Sequence, residues 1–370
     1  MGWSKHHPVG LIHNSPALSY RGYTLFATNG GNHATLIDMD GQICHRWESQ
    51  EGIAYAQLLP NGHLLFRASP PTEEESGRGL GGASSALIEL DWDGNKVWEY
   101  RNPWLHHDYE RLLNGNTIVL VWEELTAEFS DTIQGGQANE EEPEVMLADK
   151  IIEIDSDGNI VNEWSLWQNL DVETDIICPL HGRREWTHAN SLKTTQDGDF
   201  LVSFRATNTV GIVSRETGEF TWKWGPGEVW HQHHATQLEN GNILMFNNGA
   251  HARMPAERST LVEVNPETNE IEWQYIASPA MSFYSFHISS AERLPNGNTM
   301  TCEGAHGRVF EITPTGDIVW EYINPFFAPD RTGGVANATF RAHRFGPEFT
   351  GFVGRDLDPA NYGNLNRLYS

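Results

Sequence analysis

Short apolar runs, each broken by a turn, follow one another along the whole chain. One reads Leu59-Pro60-Asn61-Gly62-His63-Leu64-Leu65-Phe66, and another Leu113-Asn114-Gly115-Asn116-Thr117-Ile118-Val119-Leu120. The pattern returns around Asn240-Gly241 and Asn296-Gly297, with Asp197-Gly198 as its variant. Asn-Gly and Asp-Gly between apolar runs predict β-hairpins in which both central residues take positive φ. A second signature interleaves with the first. Turns ending at Gly41, Gly94, Gly158, Gly218, Asn269 and Gly316 are followed, four or six residues later, by Trp47, Trp98, Trp164, Trp222, Trp273 and Trp320. Both offsets are even, so in strands all six indoles fall on one face of their sheets.

Successive turns of this second kind stand 53, 64, 60, 51 and 47 residues apart. Each unit therefore holds a strand, an Asn-Gly turn, a returning strand, a loop and a hairpin ending in tryptophan: four antiparallel strands. Six such units predict an all-β fold, a six-bladed β-propeller of four-stranded antiparallel blades, as a single domain over residues 1–370. Tyr23 to Trp47 supplies only the later strands of a blade, and Asn337 to Phe345 reads as an inner strand with no continuation. Together the N- and C-terminal strands are predicted to close the ring as one composite blade, which hides edges that an open sheet would expose.

Three segments depart from the repeat. Residues 68–85 carry Pro70, Pro71 and several glycines and glutamates; residues 123–149 include Glu140-Glu141-Glu142; residues 166–186 precede the third inner strand. The first two fall between second and third strands and the third just before a first strand. All three are predicted to project from one end of the propeller, as a lid or channel wall.

Composition narrows the function. A net charge of −26 argues against nucleic acid and anionic membranes, whose partners present basic surfaces. The start, from Met1 to Pro8, has no apolar core of signal-peptide length, and no later segment has the length and apolarity to span a bilayer. Cys44, Cys178 and Cys302 form no Cys-x-x-Cys pair and read as buried thiols of a reducing compartment. Those features predict a cytoplasmic protein; the alternative, a periplasmic one, would require a signal peptide already removed.

Histidines recur at matched places. His107 and His233 sit seven residues before the Asn of their hairpins, and His188 and His287 nine before the Asp or Asn of theirs, with Asn190 and Ser289 at the seven-back positions. All these offsets are odd, so the side chains are predicted to share one strand face at one mouth of the channel, whereas His106 and His234 face the sheet packing. The loops Gly249-Ala250-His251-Ala252-Arg253 and Gly304-Ala305-His306-Gly307-Arg308 match each other and return to the same end. Arg205 is a weaker equivalent, and Arg341, His343 and Arg344 come from the last inner strand. An acidic protein that gathers imidazoles and guanidiniums at one mouth predicts a site for a small anion.

Trp186-Thr187-His188-Ala189-Asn190-Ser191, Gln232-His233-His234-Ala235 and Phe246-Asn247-Asn248-Gly249 running to Arg253 resemble the bacterial arylsulfate sulfotransferase family, as does Gly22-Tyr23-Thr24-Leu25-Phe26 leading to Leu36-Ile37-Asp38-Met39. The resemblance implies a six-bladed propeller that moves a sulfuryl group from an aryl sulfate to a phenolic acceptor through a sulfurylated histidine, with no adenosine-based donor and no cofactor. It implies active-site roles for His188 and His233, sulfate binding by Arg253, and His306 as nucleophile with His287 competing. His107, Asn190, Arg205, His251, His287, Arg308 and His343 would complete substrate binding, with Tyr109, Trp186 or Tyr284 against the aryl ring. His107, His231 and His287 make a richer set than sulfuryl transfer needs. A metal-dependent lyase or hydrolase is therefore the competing reading, with His107, His188, His233 and His287 holding zinc or manganese. A third reading is a non-catalytic propeller that binds a partner on its acidic rim.

Overall fold

The Asn-Gly turns fall where the apolar runs place them, but their geometry differs from the expectation. In this computed structural model, which describes residues 8–69, 80–137, 145–254, 256–330 and 333–369, positive φ belongs to the glycine alone: Gly62, Gly115, Gly198, Gly241 and Gly297 lie between 83° and 91°. Gly62 N–H donates to Leu59 O (2.8 Å) and Leu59 N–H to His63 O (2.8 Å), which makes a three-residue loop rather than a two-residue one. Pro60 explains the choice, because its ring holds φ near −65° and rules out the mirror-image turn. The asparagine serves through its side chain instead. Asn61, Asn114, Asn240 and Asn296 each accept, at 3.0–3.1 Å, the N–H two residues on.

The fold class is the expected one, an all-β six-bladed propeller of four-stranded antiparallel blades. The chain divides into two compact units, the first comprising residues 1–69, 86–100 and 287–370 and the second residues 70–85 and 101–286. The first unit holds the composite blade, in which Thr339–Phe345 pairs with Tyr23–Thr28 and the sheet continues through His33–Ile37 and Ile43–Glu48. Beside it run the sheet from Tyr55–Leu58 to Lys96–Arg101 and the sheet from Ser290–Arg293 to Ile318–Ile323. Gly10–Asn14 adds a fifth strand to the outer edge of the last, a role the sequence pattern did not signal.

The second unit holds three blades whose inner strands are Leu105–Arg111, Ala189–Thr194 and His233–Gln237. Here the insertion 123–149 pairs with the insertion 166–186: Gly135–Gln137 runs parallel to Ile177–Gly182. Leu125, Ile133, Met146, Ile177 and Trp186 bury a small core beneath that pairing. Residues 70–79 and 138–144, which carry most of the predicted acidic charge including Glu140, Glu141 and Glu142, lie outside the described residues.

The tryptophans join blades within each unit. Trp47 donates to Asp91 O (3.1 Å) and Trp320 to Met39 O (3.0 Å) in the first; Trp164 donates to Arg215 O (2.9 Å) and Trp222 to Asn269 Oδ1 (2.8 Å) in the second. Each indole thus reaches the outer hairpin turn of the next blade, which is the common facing that even offsets predict. Cys44, Cys178 and Cys302 are free and buried. No helix among the described residues is long and apolar enough to cross a membrane.

Candidate functional site

The inner strands of the second unit do not keep the two-residue alternation on which the matched offsets rest. The pairing of Leu105–Arg111 jumps from Tyr109↔Val119 to His106↔Leu120, leaving His107 and Asp108 unopposed. Similar irregularities fall between Ala189 and Ser191 and between His233 and Thr236. Around these bulges His107, His188, His231 and His234 take φ of 44°, 61°, 54° and 52°. A side chain with a Cβ rarely adopts such a backbone, and surrounding contacts must hold it there.

Those contacts are specific. Asp149 accepts from Thr187 N (3.2 Å), Thr187 Oγ1 (2.8 Å) and Ala189 N (2.8 Å), so one buried carboxyl pins the backbone on both sides of His188. Its other oxygen lies 3.4 Å from His106 Nε2, and the His106 ring stacks on Trp122 at 4.4 Å. His107 N–H donates to Gly82 O (2.9 Å), and a Cβ at Gly82, where φ is 76°, would overlap the His107 ring. The insertion 68–85 therefore lays bare backbone against an imidazole. Asn208 Oδ1 accepts His231 N–H (2.8 Å), and Cys178 N–H donates to Ala206 O (2.7 Å), which ties the insertion strand to the blade.

The result is a row of imidazoles. Ring centroids are 4.6 Å apart for His107 and His188, 5.6 Å for His188 and His181, 5.7 Å for His181 and His231, and 4.4 Å for His231 and His251. At the end of the row His251 Nδ1 lies 3.5 Å from Cys178 Sγ. Glu185 Oε1 sits 2.5 Å from His188 Nδ1, while its other oxygen accepts from Trp122 Nε1 at 3.2 Å. Half-buried Arg205, at the end of the strand Phe200–Phe204, makes no ion pair among the described residues.

Burial governs the protonation of the row. It pushes Glu185 up to about 7, against the opposing pull of His181, the Trp122 hydrogen bond and Arg205. It pushes Asp149 up to about 7, with the Glu185 charge adding to the effect. Burial, then the charges of His188 and Arg205, lower His181 to about 4. His231 is driven well below the ordinary imidazole range by burial, then Arg205 and its histidine neighbours, and His251 is lowered by burial and Arg205. Neutral imidazoles beside one guanidinium offer nucleophilic lone pairs next to a fixed positive charge, which suits a small anion with an electrophilic centre.

Of the residues the sequence singles out, His107, His188, His251 and Arg205 fall in or beside this row. His233 and Asn190 lie beneath it: His233 Nδ1 meets Asn248 Oδ1 (2.7 Å) and His231 O (3.0 Å), and Asn190 Nδ2 donates to Gln232 O (2.8 Å). Arg253 is exposed on the loop that carries His251. His287, His306, Arg308 and His343 belong to the first unit. His306 is exposed on the turn Gly304–His306, and His287 is half-buried. Arg308 is taken up by Glu303 (2.9 Å) and Glu321 (2.7 Å), and His343 lies between Tyr55 Oη (2.9 Å) and Glu292 (3.4 Å). Tyr109 and Trp186 are fully buried in the packing and so present no face to an aryl ring; Tyr284 is half-buried.

Among the described residues, the donors lying within 4.8 Å of one another are those of Cys178, His231 and His251. The four histidines that the sequence offered as metal ligands are divided between the units, with His107, His188 and His233 in the second and His287 in the first. Sequence reasoning missed Cys178, His181 and Glu185. The signals were Cys178-x-x-His181 and the carboxyl three residues before His188, both inside a segment set aside as an insertion.

Comparison with known proteins gives one family and a fold. A family model described as arylsulfotransferase (ASST) matches residues 23–324. No curated protein matches the chain at a significant level. A protein of unknown function from Bacteroides caccae is 16% identical, with a TM-score of 0.56, over 88% of this chain and 99% of that one. Virginiamycin B lyase from Staphylococcus aureus is 13% identical, with a TM-score of 0.47, over 88% of each chain.

Proposed function

Since the chain belongs to the arylsulfotransferase family, we propose that its second unit carries a sulfuryl group from an aryl sulfate to a phenolic acceptor, with His188 as the intermediate carrier. The observation behind this reading is the Glu185–His188 pair at 2.5 Å. Once ionised, above about pH 7, the Glu185 carboxylate accepts from Nδ1–H, fixes the ring and its tautomer, and leaves the Nε2 lone pair as the nucleophile, the logic of an oriented imidazole.

In the first step Nε2 of His188 attacks sulfur, the bond from sulfur to the aryl oxygen breaks, and the departing phenoxide takes a proton. His107, whose ring lies 4.6 Å from that of His188, supplies the proton as a general acid. In the second step an incoming phenol returns its proton to His107, its oxygen attacks sulfur, and the nitrogen–sulfur bond breaks. Bonds and protons balance over the cycle, and no oxidant or nucleotide is consumed. Arg205 stabilises the charge that grows on the sulfuryl oxygens, an effect that counts for more in a half-buried site than in water.

The test is turnover of 4-nitrophenyl sulfate with phenol as acceptor, combined with detection of an acid-labile sulfurylated histidine. His188→Asn is expected to abolish both labelling and turnover, with His306→Ala retaining them. Loss of labelling in His306→Ala, with His188→Asn still labelled, would move the carrier to the residue implied by family resemblance.

A further inference from the structure

We propose that Cys178, His231 and His251 form a binding site for a single zinc-class metal ion. The three donors come from three separate elements of the second unit: the insertion strand Ile177–Gly182, the segment entering the strand His233–Gln237, and the loop after Gly249. Their ligand atoms all lie within 4.8 Å of one another, and Cys178 Sγ is 3.5 Å from His251 Nδ1. A tetrahedral zinc with ordinary Zn–S and Zn–N bonds sets sulfur and nitrogen about 3.5 Å apart.

An independent observation points the same way. His231 is fully buried, yet neither ring nitrogen has a hydrogen-bond partner. Leaving such a group unpartnered is destabilising. A metal bound to one nitrogen satisfies a group that the protein leaves unmet.

The donor chemistry selects the ion. One thiolate and two imidazoles suit zinc and cobalt, and disfavour magnesium and calcium, which seek oxygen. The thiolate also offsets the nearby charge of Arg205, which would otherwise repel a cation. Three protein ligands leave a fourth position for water or an anion. Binding would clamp the insertion strand to the blade beneath it, whether or not sulfuryl transfer is the reaction.

The experiment uses the tag-free full chain in chelator-treated buffer, without substrate. Titration with zinc is expected to saturate at one equivalent, and cobalt is expected to produce a thiolate-to-metal charge-transfer band. Cys178→Ser should remove that band and weaken zinc binding by more than about 100-fold, beyond what changes outside the ligand set cost. His251→Gln should weaken binding similarly. His188→Asn, which removes the proposed sulfuryl carrier but no ligand, should bind zinc like the parent, so the two proposals fail separately. Binding well below one equivalent, or an unaltered cobalt band in Cys178→Ser, would overturn the site.

Discussion

The two compact units contain the same number of blades but differ at particular polar groups. In the first, three such side chains have settled partners: Arg344 meets Glu311 (3.3 Å) and Thr24 Oγ1 (2.7 Å), Arg308 meets two glutamates, and His63 meets Glu89 (2.7 Å). In the second, Arg205 makes no ion pair among the described residues and His231 no ring hydrogen bond, while Glu185 and Asp149 are buried at a cost in acidity. Inner-strand starts with positive φ occur in both, but the first unit places Ile288 and Ser289 there and the second His107 and His188. The repeated blade is a neutral support. The proposed chemistry lies where that support leaves a polar side chain under-satisfied and holds it in a costly backbone.

The strongest test of this contrast is Glu185→Gln. At a pH above 7, where the Glu185 carboxyl is ionised, removing that charge while keeping the shape should lower kcat about 10³- to 10⁴-fold at nearly constant KM, as expected when an oriented imidazole loses its partner. Steady-state kinetics with an aryl sulfate would measure it, and a loss below tenfold would remove Glu185 from the mechanism. Next in size is a change in the first unit. Trp320→Ala should cost about 3–5 kcal/mol of unfolding free energy in denaturant titrations, because a fully buried indole and its bond to Met39 are both lost. The same variant should keep its kcat at low temperature.

A third outcome follows from the raised carboxyls. The folded state holds the Glu185 proton up to about 7, above the ordinary glutamate value of 4.5, so that stability is present in full below the unfolded value and is lost as pH rises through about 7. Over that window Glu185 should account for a fall of about 3 kcal/mol in unfolding free energy, absent from Glu185→Gln. Chemical denaturation at a series of pH values reads it directly. The smallest effects separate the two kinds of arginine. Arg205→Gln should reduce kcat/KM about 100-fold with little change in stability. Arg308→Gln should instead cost about 1–3 kcal/mol of stability, by leaving Glu303 and Glu321 without their partner, and leave kcat unchanged.

The blades were legible because their signals are local. An Asn-Gly turn needs only its neighbours, and a tryptophan at an even offset keeps its facing even through the bulges that five of the outer hairpins carry. The proposed site was legible only in part. His107 and His188 were found by counting from the turns, but the count assumed unbroken alternation, and the inner-strand bulges break it. That is why His233, with the same offset as His107, lies beneath the row and His231 lies within it.

What the amino-acid order decided by itself is the blade: four strands, a turn glycine with positive φ, and the facing of an indole at an even offset from its turn, all set by interactions spanning a few residues. What only tertiary structure decided is the company each side chain keeps. Cys178, His181 and Glu185 reach the imidazoles because two insertions pair across a small shared core, and Asp149 holds His188 in place from 39 residues away in sequence. Contacts of that kind depend on packing between distant segments, and no local period encodes them.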